Sequence, residues 1–150
     1  MDSPTEIVIR PVGQVRNGIN EKMQHGWGRV ESKLVIEPGL TDLLDGLQNF
    51  SHIIVIYWMH RSTGQFSARV HPRGISDAPL TGVFATRAPH RPNAIGMTVV
   101  ELLECRDNEL TVRGLDAING TPIIDIKPYL PKDVVPEAKH PDWVSRLDFT

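Results

Sequence analysis

Cysteine is almost absent: Cys105 is the only one in 150 residues. This excludes an intramolecular disulfide and any multi-cysteine zinc or iron–sulfur site, and it fits a reducing compartment. Long hydrophobic runs are missing too. The most apolar stretch, Ile53 to Met59, falls far short of the roughly 20 residues that cross a bilayer. Met1-Asp2-Ser3-Pro4 carries no basic segment followed by an apolar one, so the expected location is the cytoplasm, with no membrane partner. Sixteen Lys plus Arg stand against eighteen Asp plus Glu, and this balance gives no bulk sign of a nucleic-acid partner. No G-x-G-x-x-G occurs, because Gly26-Trp27-Gly28 is followed by Glu31 where a third glycine belongs; G-x-x-x-x-G-K and H-E-x-x-H are also lacking. A Rossmann domain, a P-loop and a zinc hydrolase site are disfavoured, and no metal is expected.

What is present is a series of short elements. Glu6 to Arg10 alternates like a strand, Ser32 to Glu37 reads as a second, and Ser51 to His60 is the strongest, being nearly all β-branched or aromatic between Ile53 and Trp58. Apolar on both faces, that strand belongs in the middle of a sheet. Leu40, Leu43, Leu44 and Leu47 recur at helical spacing between Pro38-Gly39 and Phe50. Residues 61–80 read as a long loop, Leu80 to Thr86 as a short strand, and Gly96 to Cys105 with Glu109 to Leu115 as a hairpin turning at Arg106-Asp107-Asn108. Ile123 to Lys127 is a last strand, before a proline-rich tail with at most one helical turn. Such a pattern, without βαβ alternation, predicts a mainly β fold: a single closed or half-closed antiparallel β-barrel with one or two short helices. The whole chain, 1–150, is expected to be one domain, with a motif-bearing core of about 7–129 and an extension over 130–150.

Charge becomes informative when counted locally. From His60 to Arg91 there are five arginines (Arg61, Arg69, Arg73, Arg87, Arg91), three histidines, no lysine and one acid, Asp77. Arginine without lysine points to planar contacts with phosphate, carboxylate or a base, or else to a solvated face. In Thr86-Arg87-Ala88-Pro89-His90-Arg91-Pro92-Asn93-Ala94-Ile95-Gly96, two prolines fix the backbone beside two arginines, as in a stiff binding loop. Gly96 permits close approach there, and Asn93 offers both donor and acceptor. Asp125 and Lys127 share one face of a strand, followed by Tyr129; they form either an active-site cluster or a structural ion pair. His52 and His60 read better as ends of a core strand than as metal ligands, Cys105 as an inert core residue, and the sequence neighbours Ser51 and His52 as a poor nucleophile–base couple.

Phe50-Ser51-His52 leading into the strand that ends at His60-Arg61, the Thr86–Gly96 loop, and Gly120-Thr121-Pro122-Ile123 with Asp125-Ile126-Lys127-Pro128-Tyr129 come in the order of one known family. On these motifs, between Ile7 and Tyr129, the chain resembles the TsaA-like or YaeB-like family of TrmO tRNA methyltransferases. It carries Ala88, Ala94 and Asn119 where the family pattern T-R-S-P, R-P-N-P-I-G and D-G-T-P has serine, proline and aspartate. The resemblance implies a non-Rossmann barrel enzyme and a homodimer with S-adenosylmethionine bound near the subunit interface. Its implied reaction is methylation of N6 of threonylcarbamoyladenosine in the anticodon loop of tRNA. His60, Arg61, Arg87, Met97 and the Leu115–Pro122 turn, including Asp116, Asn119, Gly120 and Thr121, would surround the cofactor, with the turn backbone reading adenine. Arg69, Arg73, Arg91 and Asn93 would meet the RNA, and Asp125, Tyr129 and Lys127 would be the catalytic group. A non-catalytic RNA- or nucleotide-binding barrel, and a methyltransferase with a small-molecule acceptor, are the competing readings.

Overall fold

Alternating apolar and polar residues decide which face of each strand is buried, and here they roll one sheet into a tube. The computed structural model describes residues 2–72 and 77–147. Its strands are β1 (Gly13–Arg16), β2 (Glu31–Ile36), β3 (His52–Trp58), β4 (Arg69–Val70), β5 (Thr81–Gly82), β6 (Ile95–Arg106), β7 (Glu109–Arg113) and β8 (Pro122–Pro128). Six of them close a barrel in the order β1-β2-β7-β6-β3-β8, while β4 and β5 form a separate two-stranded ribbon. Every pairing is antiparallel. The lumen is filled, not open: Val15, Leu34, Ile53, Val55, Leu110, Val112 and Ile123, from five of the six barrel strands, are all fully buried.

β3 lies between β6 and β8, as its composition predicts. Only one of its faces is core, however. Ile53, Val55 and Tyr57 point inward, whereas Ile54, Ile56 and Trp58 lie half-buried on the outer wall. Across the ladder they face Val99, Met97 and Ile95 of β6, which are 43%, 48% and 39% exposed. The second apolar face is therefore a surface patch. The β6–β7 hairpin turns at Asp107-Asn108, with Asp107 left-handed at φ 52°. Asn108 docks the turn on β2 by donating from Nδ2 to the Ile36 carbonyl at 2.8 Å.

Four expectations are corrected. Glu6 to Arg10 makes no strand; Ile7 and Val8 are exposed, and the barrel position beside β8 is taken by Gly13 and Gln14. The leucine-spaced segment forms 3-10 turns at Pro38–Leu44 and Leu47–Asn49, not an α-helix, because Gly46 turns left-handed between them at φ 89°. Leu80 to Thr86 reduces to the two residues of β5 followed by a 3-10 turn at Val83–Ala85. The tail holds two 3-10 turns, Pro131–Asp133 and Asp142–Arg146, the second anchored by buried Trp143. No helix among the described residues is long and apolar enough to cross a membrane.

Candidate functional site

The antiparallel order gives the barrel two chemically different ends. At the Trp58 end, the chain leaving β3 carries His60 and Arg61, and the loop 86–93 enters β6 with Ala94 accepting from the Met59 amide at 2.7 Å. The Leu115–Pro122 turn joins β7 to β8 at the same end. The segments that carry the expected cofactor residues thus meet at one end of the barrel although they span more than 60 positions of sequence.

Local bonding explains how each is held. Arg61 donates to the Asn20 carbonyl at 2.5 Å and approaches Glu21 at 3.7 Å, beside a cleft of about 260 Å³ lined by Glu21, Lys22, Arg61 and Ile118. Lys22 reaches across to Ser62 Oγ, a buried hydroxyl. Arg87 is exposed. Met97 lies on the outer apolar patch, opposite Ile56. Leu115 is wholly inside the core, so its side chain packs and does not face a ligand.

The turn after it is tied down internally. Asn119 accepts from the Asn17 amide through Oδ1, and its own amide donates to the Ile19 carbonyl at 2.7 Å. The Gly120 amide donates to Val15, and the buried Thr121 hydroxyl donates to the Ile118 carbonyl. Asn17 Nδ2 donates to the Ala117 carbonyl. Much of the backbone expected to read adenine is therefore committed to the fold, and of the turn's two exposed side chains, Asp116 and Asn119, the second already accepts from Asn17.

Asp116 belongs to a network that the motifs do not reveal. Tyr57 Oη donates to Asp116 Oδ1 at 2.9 Å, and Thr98 Oγ1 donates to the same oxygen at 2.5 Å. Burial, then the Asp116 carboxylate, pushes the Tyr57 phenol well above the ordinary tyrosine value, while Thr98 and Arg87 pull it down less strongly. One signal for this lies in the sequence: a phenol on the buried face of an aliphatic strand requires a polar partner. The room for it comes from Gly96, where a Cβ would overlap the Tyr57 ring. The close approach inferred for Gly96 is thus made by Tyr57.

The arginine window divides. Arg91 donates from Nη1 to the Thr86 and Ala88 carbonyls, both at 3.1 Å, so it braces its own loop. Arg69 is exposed on the β4–β5 ribbon and Asn93 is exposed at the loop tip. Arg73 lies outside the described residues. Asp77, the acid of the window, lies 3.6 Å from Arg146.

Lys127 and Tyr129 are not brought to this end, and Asp125, level with Ile56 and Met97, lies on the outer wall. Asp125 opposes Ile56 and Lys127 opposes Ile54, both on the outer wall. The Tyr129 amide donates to the His52 carbonyl, five residues of strand from Tyr57, on the order of 17 Å by the antiparallel rise. Asp125 and Lys127 form an ion pair at 3.0 Å, about half exposed, and Asp125 Oδ1 also accepts from the Ile126 amide at 2.9 Å. Ser51 Oγ and His52 Nδ1 lie 2.8 Å apart, contrary to strand alternation, because Ser51 stands just before β3 in a bend. Among the described residues no three His, Cys, Asp or Glu side chains gather as metal ligands.

Comparison with known proteins places this geometry in context. Residues 19–133 match the TrmO_N family, the tRNA-methyltransferase O N-terminal domain. A probable S-adenosyl-L-methionine-binding protein of Methanothermobacter thermautotrophicus is 49% identical over 131 residues, covering 85% of this chain and 93% of that one. The tRNA (adenine(37)-N6)-methyltransferase of Rattus norvegicus is 41% identical over 103 residues, covering 65% of this chain and 24% of that one. The crystal structure of TrmO from P. aeruginosa superposes with a TM-score of 0.75 at 30% identity, over 93% of this chain and 62% of that one. The chain thus spans less than two-thirds of those two methyltransferases.

Proposed function

Because the chain belongs to the TrmO_N family, we propose that it is an S-adenosylmethionine-dependent methyltransferase acting on N6 of threonylcarbamoyladenosine in the anticodon loop of tRNA. The observation that carries this reading is the gathering of His60, Arg61, Arg87 and Asp116 around one end of a barrel. Its support from similarity is that relatives of nearly the same length are named for binding S-adenosylmethionine.

The residues at the Trp58 end fit that cofactor. Arg87 supplies an exposed guanidinium, Asp116 an exposed carboxylate and Met97 an apolar surface for a molecule with both charged and apolar parts. When bound, the cofactor supplies an electrophilic methyl group, and the protein's task is then to orient the acceptor and accept its proton. Arg69 and Asn93 meet the RNA, with Arg91 stiffening the loop that carries Asn93. An anticodon loop suits such a site because its bases can be unstacked and presented singly.

Tyr129 and Lys127 reach the reaction through a homodimer, with Asp125 on the outer wall between the two ends. The outer patch of Ile54, Ile56, Trp58, Ile95, Met97 and Val99 is the apolar face such an interface needs, and Asp125 and Lys127 border it on β8. A two-fold axis crossing the strands lays the His52 end of one copy over the Trp58 end of the other. The base of one protomer then serves the cofactor end of its partner.

The test is transfer of labelled methyl from S-adenosylmethionine to tRNA, followed by mass spectrometry of the nucleosides. Label in threonylcarbamoyladenosine is the expected result. Cofactor binding without transfer to any RNA would favour the binding barrel or a small-molecule acceptor. For the composite site, mixed dimers of Arg87→Ala and Tyr129→Phe are expected to recover part of the activity that each pure mutant dimer lacks.

A further inference from the structure

The β6–β7 ladder ends where Glu101 pairs with Arg113. Before that point β6 has a ladder partner on one side only, β3, and the chain after β7 turns away through Gly114 at φ 97°. Asp116 stands across the opening. Two hydroxyls, Tyr57 Oη and Thr98 Oγ1, span it and converge on one carboxylate oxygen, Oδ1. Their oxygens lie 2.9 Å apart, and with one proton each both hydroxyls donate to the carboxylate and not to one another.

Asp116 is exposed and takes part in no ion pair among the described residues. Its hydrogen bonds among the described residues all fall on Oδ1, and Oδ2 is the oxygen offered to a ligand. Arg87 is exposed on the loop that enters β6 at the same end and forms no ion pair among the described residues. An anion held by two neutral donors, with a cation on the loop at the same end, complements a molecule that carries an ammonium and a carboxylate on one carbon.

We propose that Tyr57 and Thr98 are positioning residues that aim Asp116 at the α-ammonium of the cofactor's amino-acid half, while Arg87 takes its α-carboxylate. This rests on the cofactor reading above. It separates the ligand's two halves, since the nucleoside half makes none of these contacts.

Calorimetry with S-adenosylmethionine and with 5′-deoxy-5′-methylthioadenosine, which keeps the nucleoside and lacks the amino acid, tests it. Tyr57→Phe and Thr98→Val are each expected to weaken S-adenosylmethionine binding about five- to twentyfold, and Asp116→Asn about a hundredfold. Methylthioadenosine affinity should stay within about twofold, and Thr98→Ser, which restores the hydroxyl, should bind like wild type. Equal loss for both ligands would overturn the proposal in favour of a merely structural network or a ribose contact. Unchanged S-adenosylmethionine affinity in all three variants would overturn it while leaving the cofactor reading intact. No binding by wild type would overturn the cofactor reading itself and this proposal with it.

Discussion

Gly96 stands directly opposite Tyr57 in the β3–β6 ladder, and the phenol ring occupies the space that a Cβ at position 96 would need. The glycine is therefore what lets the ring cross β6 and place its hydroxyl on Thr98 and Asp116. An overlap with a ring fixed at both ends cannot be relieved by a rotamer change alone.

Gly96→Ala is expected to lose about 1–3 kcal/mol of stability, the usual cost of overpacking a filled site. Denaturant melts would measure it. Combining the change with Tyr57→Phe should cost less than the sum of the two, because the phenylalanine ring is no longer tethered and can move. Strict additivity would show that the ring and the glycine are not in conflict.

The raised Tyr57 phenol makes stability depend on pH in the alkaline range. The folded chain keeps its proton where the unfolded chain, with an ordinary tyrosine value of 10.0, has lost it. The folded state then binds more protons, so stability falls as pH rises. The contribution is whole below that ordinary value and is lost progressively above it. Unfolding free energies measured from about pH 9 to about pH 11 should decline for wild type and decline less for Tyr57→Phe.

Legibility differed element by element for physical reasons. Ile53 to Trp58 and the Asp107-Asn108 turn are set by local preferences, β-branching in one and a left-handed turn in the other, and both were readable. Glu6 to Arg10 has the same local preferences, but strand formation needs a partner, and β1 fills the place beside β8 from Gly13 onward. His60, Arg61, Arg87 and Asp116 were singled out through the motifs that carry the family resemblance, and the structure sets their segments at one end of the barrel. The Tyr57–Thr98–Asp116 network was not, since it depends on the register that sets Tyr57 against Gly96. Asp125, Lys127 and Tyr129 were legible as a cluster, while the distance of Tyr129 from Tyr57 and the place of Asp125 on the outer wall follow from the direction and register of β8, which only topology determines.

The outer patch gives a prediction about assembly. Ile56→Lys places a charge at its centre, opposite Met97, without touching the core face of β3. The variant should fold with a melting temperature close to wild type, because the side chain can reach solvent. Sedimentation should show a monomer where wild type is a dimer, and methyl transfer should fall with it. A monomeric wild type would remove the shared-site arrangement.

Arg91 and Arg69 should separate under salt. Arg91 is half-buried and spends its guanidinium on the Thr86 and Ala88 carbonyls, so Arg91→Ala is expected to cost about 1 kcal/mol of stability through a loosened loop. The slope of log affinity for tRNA against log salt should not change, because no phosphate contact is lost. Arg69 is exposed on the ribbon, and Arg69→Ala should leave stability unaltered while flattening that slope by about 0.7, the value for one phosphate contact on a single strand. Filter binding of a tRNA anticodon stem-loop across a salt series measures both. A flattened slope for Arg91→Ala with unchanged stability would instead place its guanidinium on the RNA.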